Sequence, residues 1–433
     1  MTAVLLAVLC VLLVCSPSHS QVPGAIYVST SGSNRADGSS PARALRTISA
    51  ALARIRPGQT IMIEGGTYAE QVVTMRGGLP GAEITLRSYN GRAIVDGSKF
   101  GWNRDQNRAL IELRHPFVRL DGLDVAHSRT TGILLAASDL AIANCHVADI
   151  QLHGISTETS FQTRASGGGG AMIRRIAIID NEIERTALGG NSQALSLIAD
   201  GFRISGNRVH DNQAEGIDIW LGARRGEVTG NTVFRNAAVG IYVDGAAYVS
   251  ISGNRVYANK SGIGVSSEDV RYDTHDIAVF NNLVWDNTRN AVFVWDDDRR
   301  PGLRGSQKVL IAHNTLIGSY YSLYFAGDRN RVEAINNLGM ASGSNVEKGG
   351  GRGSAIRLDG NVWLTHPVGF ADFAAQDFRL TARSPAIGRG VALPLPGAYT
   401  FPGPGFDVDL AGQARGNSGT IDAGAFSFLP AIR

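Results

Sequence analysis

The chain has 433 residues, of which 43% are hydrophobic and 18% charged, and it contains 53 glycines. That length is enough for a large core, or for about two or three domains of ordinary size. The 41 Lys and Arg residues against 38 Asp and Glu leave a formal net charge of +3 without any basic run. The composition therefore excludes the charge pattern of a nucleic-acid-binding protein, and we expect no such partner.

The N-terminal stretch is typical of an exported protein. Residues 3–14 are apolar, and the small residues Ser18 and Ser20 follow them in an A-x-A-like arrangement. This pattern predicts a secretory signal peptide over residues 1–20 and a secreted protein, periplasmic or extracellular. No later apolar stretch is long enough to span a bilayer. The signal peptide contains two of the three cysteines, so the mature chain keeps only Cys145 and we expect no internal disulfide.

Residues 46–55, with the sequence RTISAALARI, are the one segment whose apolar spacing clearly predicts a helix. The predicted helix is short and amphipathic. We expect it to cover the open end of a larger β-structure, where unpaired strand edges would otherwise promote aggregation.

A repeat with an Asn at the end of a short strand dominates the middle of the chain. The repeated residues are Asn181, Asn207, Asn231, Asn254, Asn282, Asn314 and Asn337. Each repeat contains three short runs of alternating apolar and polar residues, separated by turn residues. Asn suits such turns because it tolerates a left-handed backbone, and stacked Asn side chains can form a ladder of amide hydrogen bonds.

Three strands per repeat, each pairing in parallel with its counterpart one repeat later, predict an all-β fold: a right-handed parallel β-helix, or solenoid, with a short N-terminal capping helix. A leucine-rich repeat or a propeller would show a different consensus. The predicted divisions are a signal peptide (1–20), an N-terminal cap (21–75), the β-helix (76–345) and a C-terminal capping segment (346–433). We expect the last segment to cover the second end of the coil.

Two parts of the chain resemble known proteins. Residues 27–70 read YVSTSGSNRADGSSPARALRTISAALARIRPGQTIMIEGGTYAE, and residues 370–390 read FADFAAQDFRLTARSPAIGRG, followed by DLAGQARGNSGTIDAGAF over 409–426. They resemble the opening and closing segments of secreted right-handed β-helix proteins of the pectate-lyase-like superfamily. The resemblance implies the architecture. It leaves the chemistry open, because that superfamily includes polysaccharide lyases, uronan C5-epimerases, glycoside hydrolases and proteins without known activity.

The strand that follows each Gly-Ile pair presents alternate residues to the outside. The first outward column is Leu134, Ser156, Ser196, Asp218, Tyr242, Gly264, Phe293 and Tyr324. The second is Ala136, Glu158, Ile198, Trp220, Asp244, Ser266, Trp295 and Ala326. The inward residues are almost all Ile, Val and Leu, which fixes the register.

Acidic and aromatic side chains concentrate on the strands between residues 216 and 298. Flat rings stack on sugar faces, and carboxylates bind hydroxyls or metal ions or transfer protons. The predicted substrate-binding residues are Glu158, Trp220, Tyr242, Phe293 and Trp295. Long insertions follow Glu158, Ser266 and Trp295, which predicts a wall of loops beside a groove. The alternative is that loops simply cover the outward rings.

Asp218 and Asp244 lie on adjacent strands, two positions out of register, which predicts a separation of about 7 to 8 Å. That separation suits the carboxyl pair of an inverting glycosidase. It also suits a bound Ca²⁺, with Glu268 as a third oxygen donor. We therefore predict Asp218, Asp244 and Glu268 as catalytic or metal-binding residues. Solvated acids that limit self-association of the sheet are the structural alternative.

Two basic residues are candidates for the remaining chemistry. Arg224 could neutralise a substrate carboxylate or act as a base, and Lys260, in the turn before the next strand of this face, could be the base of a lyase. For both residues, a solvated turn is the alternative.

Three classes of function fit the sequence. The first is a polysaccharide lyase, or C5-epimerase, acting on a uronic-acid-containing polymer, and the second is a glycoside hydrolase that uses Asp218 and Asp244. The third is a non-catalytic glycan-binding or surface structural protein. A base that faces the acids would favour the first. We expect a monomer with a polysaccharide partner, Ca²⁺ as the candidate cofactor and no organic cofactor.

Overall fold

The computed structural model describes residues 24–99, 108–157, 172–190, 192–349, 353–393, 405–416 and 420–429. Within them the chain is an all-β parallel solenoid of about eleven turns with almost no helix. The predicted fold class is therefore confirmed. The predicted signal peptide lies outside the described residues, and no described helix is long and apolar enough to cross a membrane.

An eleven-stranded parallel sheet forms one face of the coil. Its strands are Val72–Val73, Ala109–Leu113, Thr131–Leu135, Ile155–Thr157, Leu195–Leu197, Ile217–Trp220, Val239–Asp244, Ser261–Ser267, Asn290–Asp296, Tyr321–Ala326 and Ser344–Gly349. Each strand pairs with the strand one turn later, so the order in the sheet follows the order in the chain.

A 23-stranded sheet forms the rest of the coil. It starts with Ile26–Val28, Thr60–Tyr68 and Ile84–Asp96. Two series of parallel strands follow the Ile84–Asp96 strand, which pairs with the first strand of each series. The first series is Val118–Asp121, Leu140–Ala143, Arg174–Ile179, Asp200–Ser205, Arg224–Thr229, Ala247–Ser252, His275–Phe280, Gln307–Ala312, Arg331–Ile335 and Ala355–Asp359. The second is Leu123–Ala126, His146–Ala148, Glu182–Glu184, Arg208–His210, Thr232–Phe234, Arg255–Tyr257, Leu283–Trp285, Thr315–Ile317, Leu338–Met340 and Val362–Trp363.

Alternate residues of the eleven-stranded sheet fill the core. Ile217 is fully buried among them, whereas the next residue, Asp218, pairs with Tyr242 in the outward column. The whole of that column, from Leu134 to Tyr324, is paired strand by strand as the sequence predicts. The hydrophobic alternation fixes the register because a slip of one residue would expose the Ile and Val side chains.

The repeated Asn residues form a buried ladder along the coil. The Asn254 amide donates to Val228 O and to Asn282 Oδ1, both at 2.9 Å, and its own Oδ1 accepts the Asn231 backbone N–H at 2.9 Å. Asn361 adds one further member beyond Asn337. A second ladder, absent from the sequence analysis, contains Asn212, Asn236, Asn259 and Asn287. Both ladders satisfy backbone groups that the turns would otherwise leave unpaired.

We expect Asn254→Ala to lower the free energy of unfolding by about 2 kcal/mol, because it leaves buried backbone and amide groups without partners. Gln213→Ala is the matched control, since Gln213 is an exposed turn residue whose loss should cost less than about 0.5 kcal/mol. Denaturant unfolding of both variants measures the difference. Equal stabilities would show that the ladder contributes nothing.

The capping helix is shorter than predicted. The sequence predicts a helix over residues 46–55, and the helix of the structure spans Ile48–Leu52. Thr47 is its N-cap, with an extended backbone and an Oγ1 that accepts the Ala50 N–H. Pro57 follows closely, and a proline disfavours helical backbone in the residue before it. Ile48 and Leu52 are buried in the main core, so the helix covers the coil as expected.

The coil continues beyond the predicted boundary at residue 345, through the Val362–Trp363 strand. The described part of the C-terminal segment packs against the outer face of the 23-stranded sheet. Phe378 and Phe426 belong to one cluster with Trp285 of that face. Apolar outward residues of the sheet therefore bind the tail along the side of the coil, whereas the sequence predicts that it covers an end.

Candidate active site

The face of the eleven-stranded sheet contains a cleft of about 260 Å³ beside the strands Ile217–Trp220 and Val239–Asp244. Five carboxylates line it, those of Glu215, Asp218, Asp244, Glu268 and Asp269. Asp269 forms an ion pair with Arg271. Among the described residues no Lys or Arg forms an ion pair with any of the other four, which we call the acid cluster.

Glu215 is the member of the acid cluster that the alternating pattern of the sequence does not predict. Strict alternation from Asp218 would point Glu215 inward. However, Gly216 and Ile217 both face the core: a Cβ on Gly216 would lie 2.7 Å from Cγ1 of the core residue Val233, and Ile217 is fully buried. Two consecutive inward residues bring Glu215 back to the outer face. The Gly before each apolar strand residue is the signal that could have indicated this bend.

Asp218 is the most deeply buried acid of the cluster, with 3% of its surface exposed. Its Oδ1 is buried and has no hydrogen-bond partner among the described residues. Burial raises the pKa of Asp218 well above its usual range, and the nearby charges of Glu215, Asp244 and Glu268 raise it further. A buried, unpaired carboxyl oxygen is costly unless a proton, a cation or a ligand compensates it.

Asp244 and Glu268 are connected through hydrogen bonds. Asp244 accepts the Trp220 Nε1–H at 3.2 Å and the Glu268 backbone N–H at 3.1 Å. Burial raises the pKa of Asp244 to about 7, and the charge of Glu268 adds to the effect. Burial also raises the pKa of Glu215. Asp244 therefore titrates near neutral pH, in the range where a carboxyl group can act as an acid or a base.

The predicted aromatic residues surround this cluster in different ways. Tyr242 donates its hydroxyl hydrogen to Glu268, and Trp295 Nε1 donates to Tyr242 Oη at 3.0 Å. Phe293 is 8% exposed, and its ring centroid lies 6.0 Å from that of Tyr242. Gly264 lies between them in the column, and a Cβ there would be 2.3 Å from the Phe293 ring. Phe293 is thus packed under its neighbours, whereas Trp220 and Trp295 remain partly exposed.

Of the predicted basic residues, Arg224 lies apart from the cluster, whereas Lys260 lies near Glu215. Arg224 starts a strand of the other sheet, where its guanidinium is 3.2 Å from the buried carboxylate of Asp200. Lys260 is exposed in the turn before its strand, close enough for its charge to affect Glu215. Glu158 lies outside the described residues. Arg300, which the sequence analysis did not select, lines the cleft.

The acid cluster offers only oxygen donors, the type that Ca²⁺ prefers. Among the described residues, only Glu184, His210 and Asp211 bring three ligand atoms within 4.8 Å of one another. Arg185 and Arg235 pair with Glu184 and Asp211 there. A cation at the acid cluster would require Asp218, Asp244 and Glu268 to draw together, which their mutual repulsion opposes until the cation is bound.

Residues 26–293 match a protein family described as Pel9A-like, right handed beta helix region. The uncharacterized protein YwoF of Bacillus subtilis (strain 168) is 31% identical over 327 residues, which cover 67% of this chain and 68% of YwoF.

The solved structure of pectate lyase Pel9A is similar with a TM-score of 0.58 at 17% identity, covering 94% of this chain and 96% of that one. The GH136 lacto-N-biosidase from Eubacterium ramulus is similar with a TM-score of 0.51 at 12% identity, covering 77% and 67%. Likenesses at such low identity concern the fold.

Proposed function

Because the chain belongs to the Pel9A-like right-handed β-helix family, we propose that it is a secreted polysaccharide lyase, or C5-epimerase, acting on a polymer that contains uronic acids. One observation carries the proposal: the four carboxylates of the acid cluster converge on one cleft, and none of them forms an ion pair with a Lys or Arg among the described residues. Such a cluster is unfavourable for folding alone, and perturbed carboxyl groups in a cleft are typical of functional sites.

Asp218, Asp244 and Glu268 are the residues that would hold a divalent cation such as Ca²⁺. The Oδ1 atom of Asp218 fits that role, because it is a buried oxygen that has no hydrogen-bond partner among the described residues and could coordinate a cation. When bound, the cation would supply positive charge to a uronate carboxylate, which acidifies the C5 proton. Trp220, partly exposed beside Asp244, would hold the sugar ring by stacking.

Elimination also needs a base and an acid. The base removes the C5 proton, the electron pair forms the C4–C5 double bond, and the C4–O bond breaks as the leaving oxygen takes a proton. Lys260 and Arg300 are the basic side chains beside the acid cluster and are our candidates for the base. Glu215, which lines the cleft outside the proposed cation ligands and whose pKa is raised by burial, is the candidate acid.

Hydrolysis of a glycosidic bond is the second candidate function, and the protonation of the cluster favours it. An inverting hydrolase needs one protonated carboxyl group and one carboxylate on opposite sides of the bond. Asp218 and Asp244 both have raised pKa values because they are buried beside other acids. Coupled carboxyl groups of this kind can divide the acid and base roles between them.

A screen of the purified protein against polyuronates and neutral glycans distinguishes these functions. We expect products that absorb in the near ultraviolet, because β-elimination leaves an unsaturated uronate. Reducing ends without that absorbance would indicate hydrolysis, and a changed C5 configuration in an uncut polymer would indicate epimerisation. Asp218→Asn protein prepared in parallel excludes a contaminating enzyme. Failure to alter any of these polymers would contradict the proposal and favour a non-catalytic glycan-binding protein.

A further inference from the structure

Tyr321 and Tyr324 occupy the positions of the eleven-stranded sheet that Glu215 and Asp218 occupy in the acid cluster. The paired column runs from Asp218 through Tyr242, Gly264 and Phe293 to Tyr324. Tyr324 is therefore four strands from Asp218, or about 19 Å at about 4.8 Å per strand. Tyr321 precedes Tyr324 by three residues, as Glu215 precedes Asp218. The two residues between the tyrosines, Ser322 and Leu323, are both buried, so the backbone bends here as it does at Gly216 and Ile217.

The tyrosines form a continuous aromatic surface. The ring centroids of Tyr321 and Tyr324 are 5.3 Å apart and nearly parallel, at 30°. Tyr320 meets Tyr321 edge to face at 4.7 Å and is 52% exposed. Gly343, on the following turn, leaves room for the Tyr320 ring, which lies 2.9 Å from where a Cβ would be. We call Tyr320, Tyr321 and Tyr324 the tyrosine platform.

Two exposed cations lie between the acid cluster and the tyrosine platform. The Arg289 backbone N–H donates to Lys260 O at 2.8 Å, and the Tyr321 N–H donates to Arg289 O at 2.8 Å. Lys260 and Arg289 are thus neighbours on successive turns, and both are exposed. Their charges lie along one edge of the face, where they would attract the carboxylates of an anionic polymer.

We propose that the tyrosine platform is a distal subsite that stacks sugar rings of an anionic polysaccharide, with Arg289 binding its carboxylates along the way. This inference rests on the proposed function and names the form of the substrate. A gap of about 19 Å can be bridged only by a chain of several monosaccharides. The protein therefore acts within long polymers, and short oligosaccharides that fill the acid cluster do not reach the platform.

The test compares Tyr321→Ala/Tyr324→Ala with the native protein on one polyuronate and on its shortest cleaved oligomer. We expect the KM for the polymer to rise about tenfold, since loss of ring contacts of this kind typically weakens binding by about that factor, with kcat and the oligomer kinetics unchanged. Arg289→Gln should reduce the salt dependence of polymer binding. Tyr248→Ala is the matched control, because Tyr248 lies on the other sheet, against His275.

Polymer binding measured without turnover separates this inference from the proposed function. Affinity electrophoresis in gels that contain the polyuronate reports binding whether or not the polymer is cleaved. Retarded migration that is lost in the double variant supports the platform even if no cleavage occurs. Unchanged KM and unchanged migration in the double variant, or a native protein that binds none of the polymers, would overturn it. Tyr320→Ala, which removes the most exposed ring, repeats the test if the double variant melts at a lower temperature.

Discussion

Replacing Asp218 by Asn is expected to lower turnover at least a hundredfold, or about 3 kcal/mol of activation free energy, while the protein stays folded. Asp218 is buried at the centre of the acid cluster, and its Oδ1 has no partner among the described residues. Either a cation or a transferred proton would use that oxygen, and an amide supplies neither the negative charge nor the ionisable proton of a carboxyl group. Substrate binding should change much less, because Trp220 and the tyrosine platform are untouched.

The same substitution should leave the melting temperature equal or higher. Asn has nearly the shape of a protonated Asp, and it removes a charge that Glu215, Asp244 and Glu268 all oppose. Asp180→Asn is the control, because Asp180 is exposed in a turn with a left-handed backbone (φ 54°) that Asn also tolerates. We expect wild-type turnover from this control. Native turnover in Asp218→Asn would place the chemistry on another face of the coil.

The metal-free protein is expected to lose stability as the pH rises from about 4 to about 8. The pKa of Asp244 is about 7 in the folded protein, against an ordinary value of 3.8, so the folded state binds the proton more tightly than the unfolded state. The stabilisation is complete below the ordinary value and is lost as the pH passes the folded value. Asp218 shifts in the same direction. Thermal melts in a chelating buffer at pH 5 and pH 8 measure this difference.

Ca²⁺ should restore the stability that deprotonation removes. At about 100 times the dissociation constant, a bound ion adds about 2.7 kcal/mol to the free energy of unfolding. The rise in melting temperature should be larger at pH 8 than at pH 5, because protons compete for the same carboxylates. Asp244→Asn should reduce the rise and Asp180→Asn should not. An equal rise in native protein and Asp244→Asn would place the ion elsewhere, and no rise at pH 8 would favour the metal-free hydrolase.

The sequence predicted the face but only part of the site. Tyr242, Asp244 and Trp295 lie in the outward columns as the alternation predicts, because a two-residue period allows only one solution once the apolar residues are buried. Arg224 shows the limit of that method. It follows the Ile217–Trp220 strand closely in the chain, yet the turn carries it to the other sheet, where Asp200 holds it. Two residues that are close in the sequence can lie on different sheets when a turn separates them, and the alternating pattern does not show where the turn leads.

The sequence by itself determined the coil, its register and the buried Asn ladder, since the apolar alternation and the regular Asn residues are local patterns repeated many times. Only the tertiary structure decided which acids share a cleft. Glu215 joins the cluster because the backbone bends at Gly216, and the raised pKa of Asp218 comes first from its burial and then from the charges of three nearby carboxylates. Burial and charge coupling depend on distances across the coil, which no local pattern of residues contains.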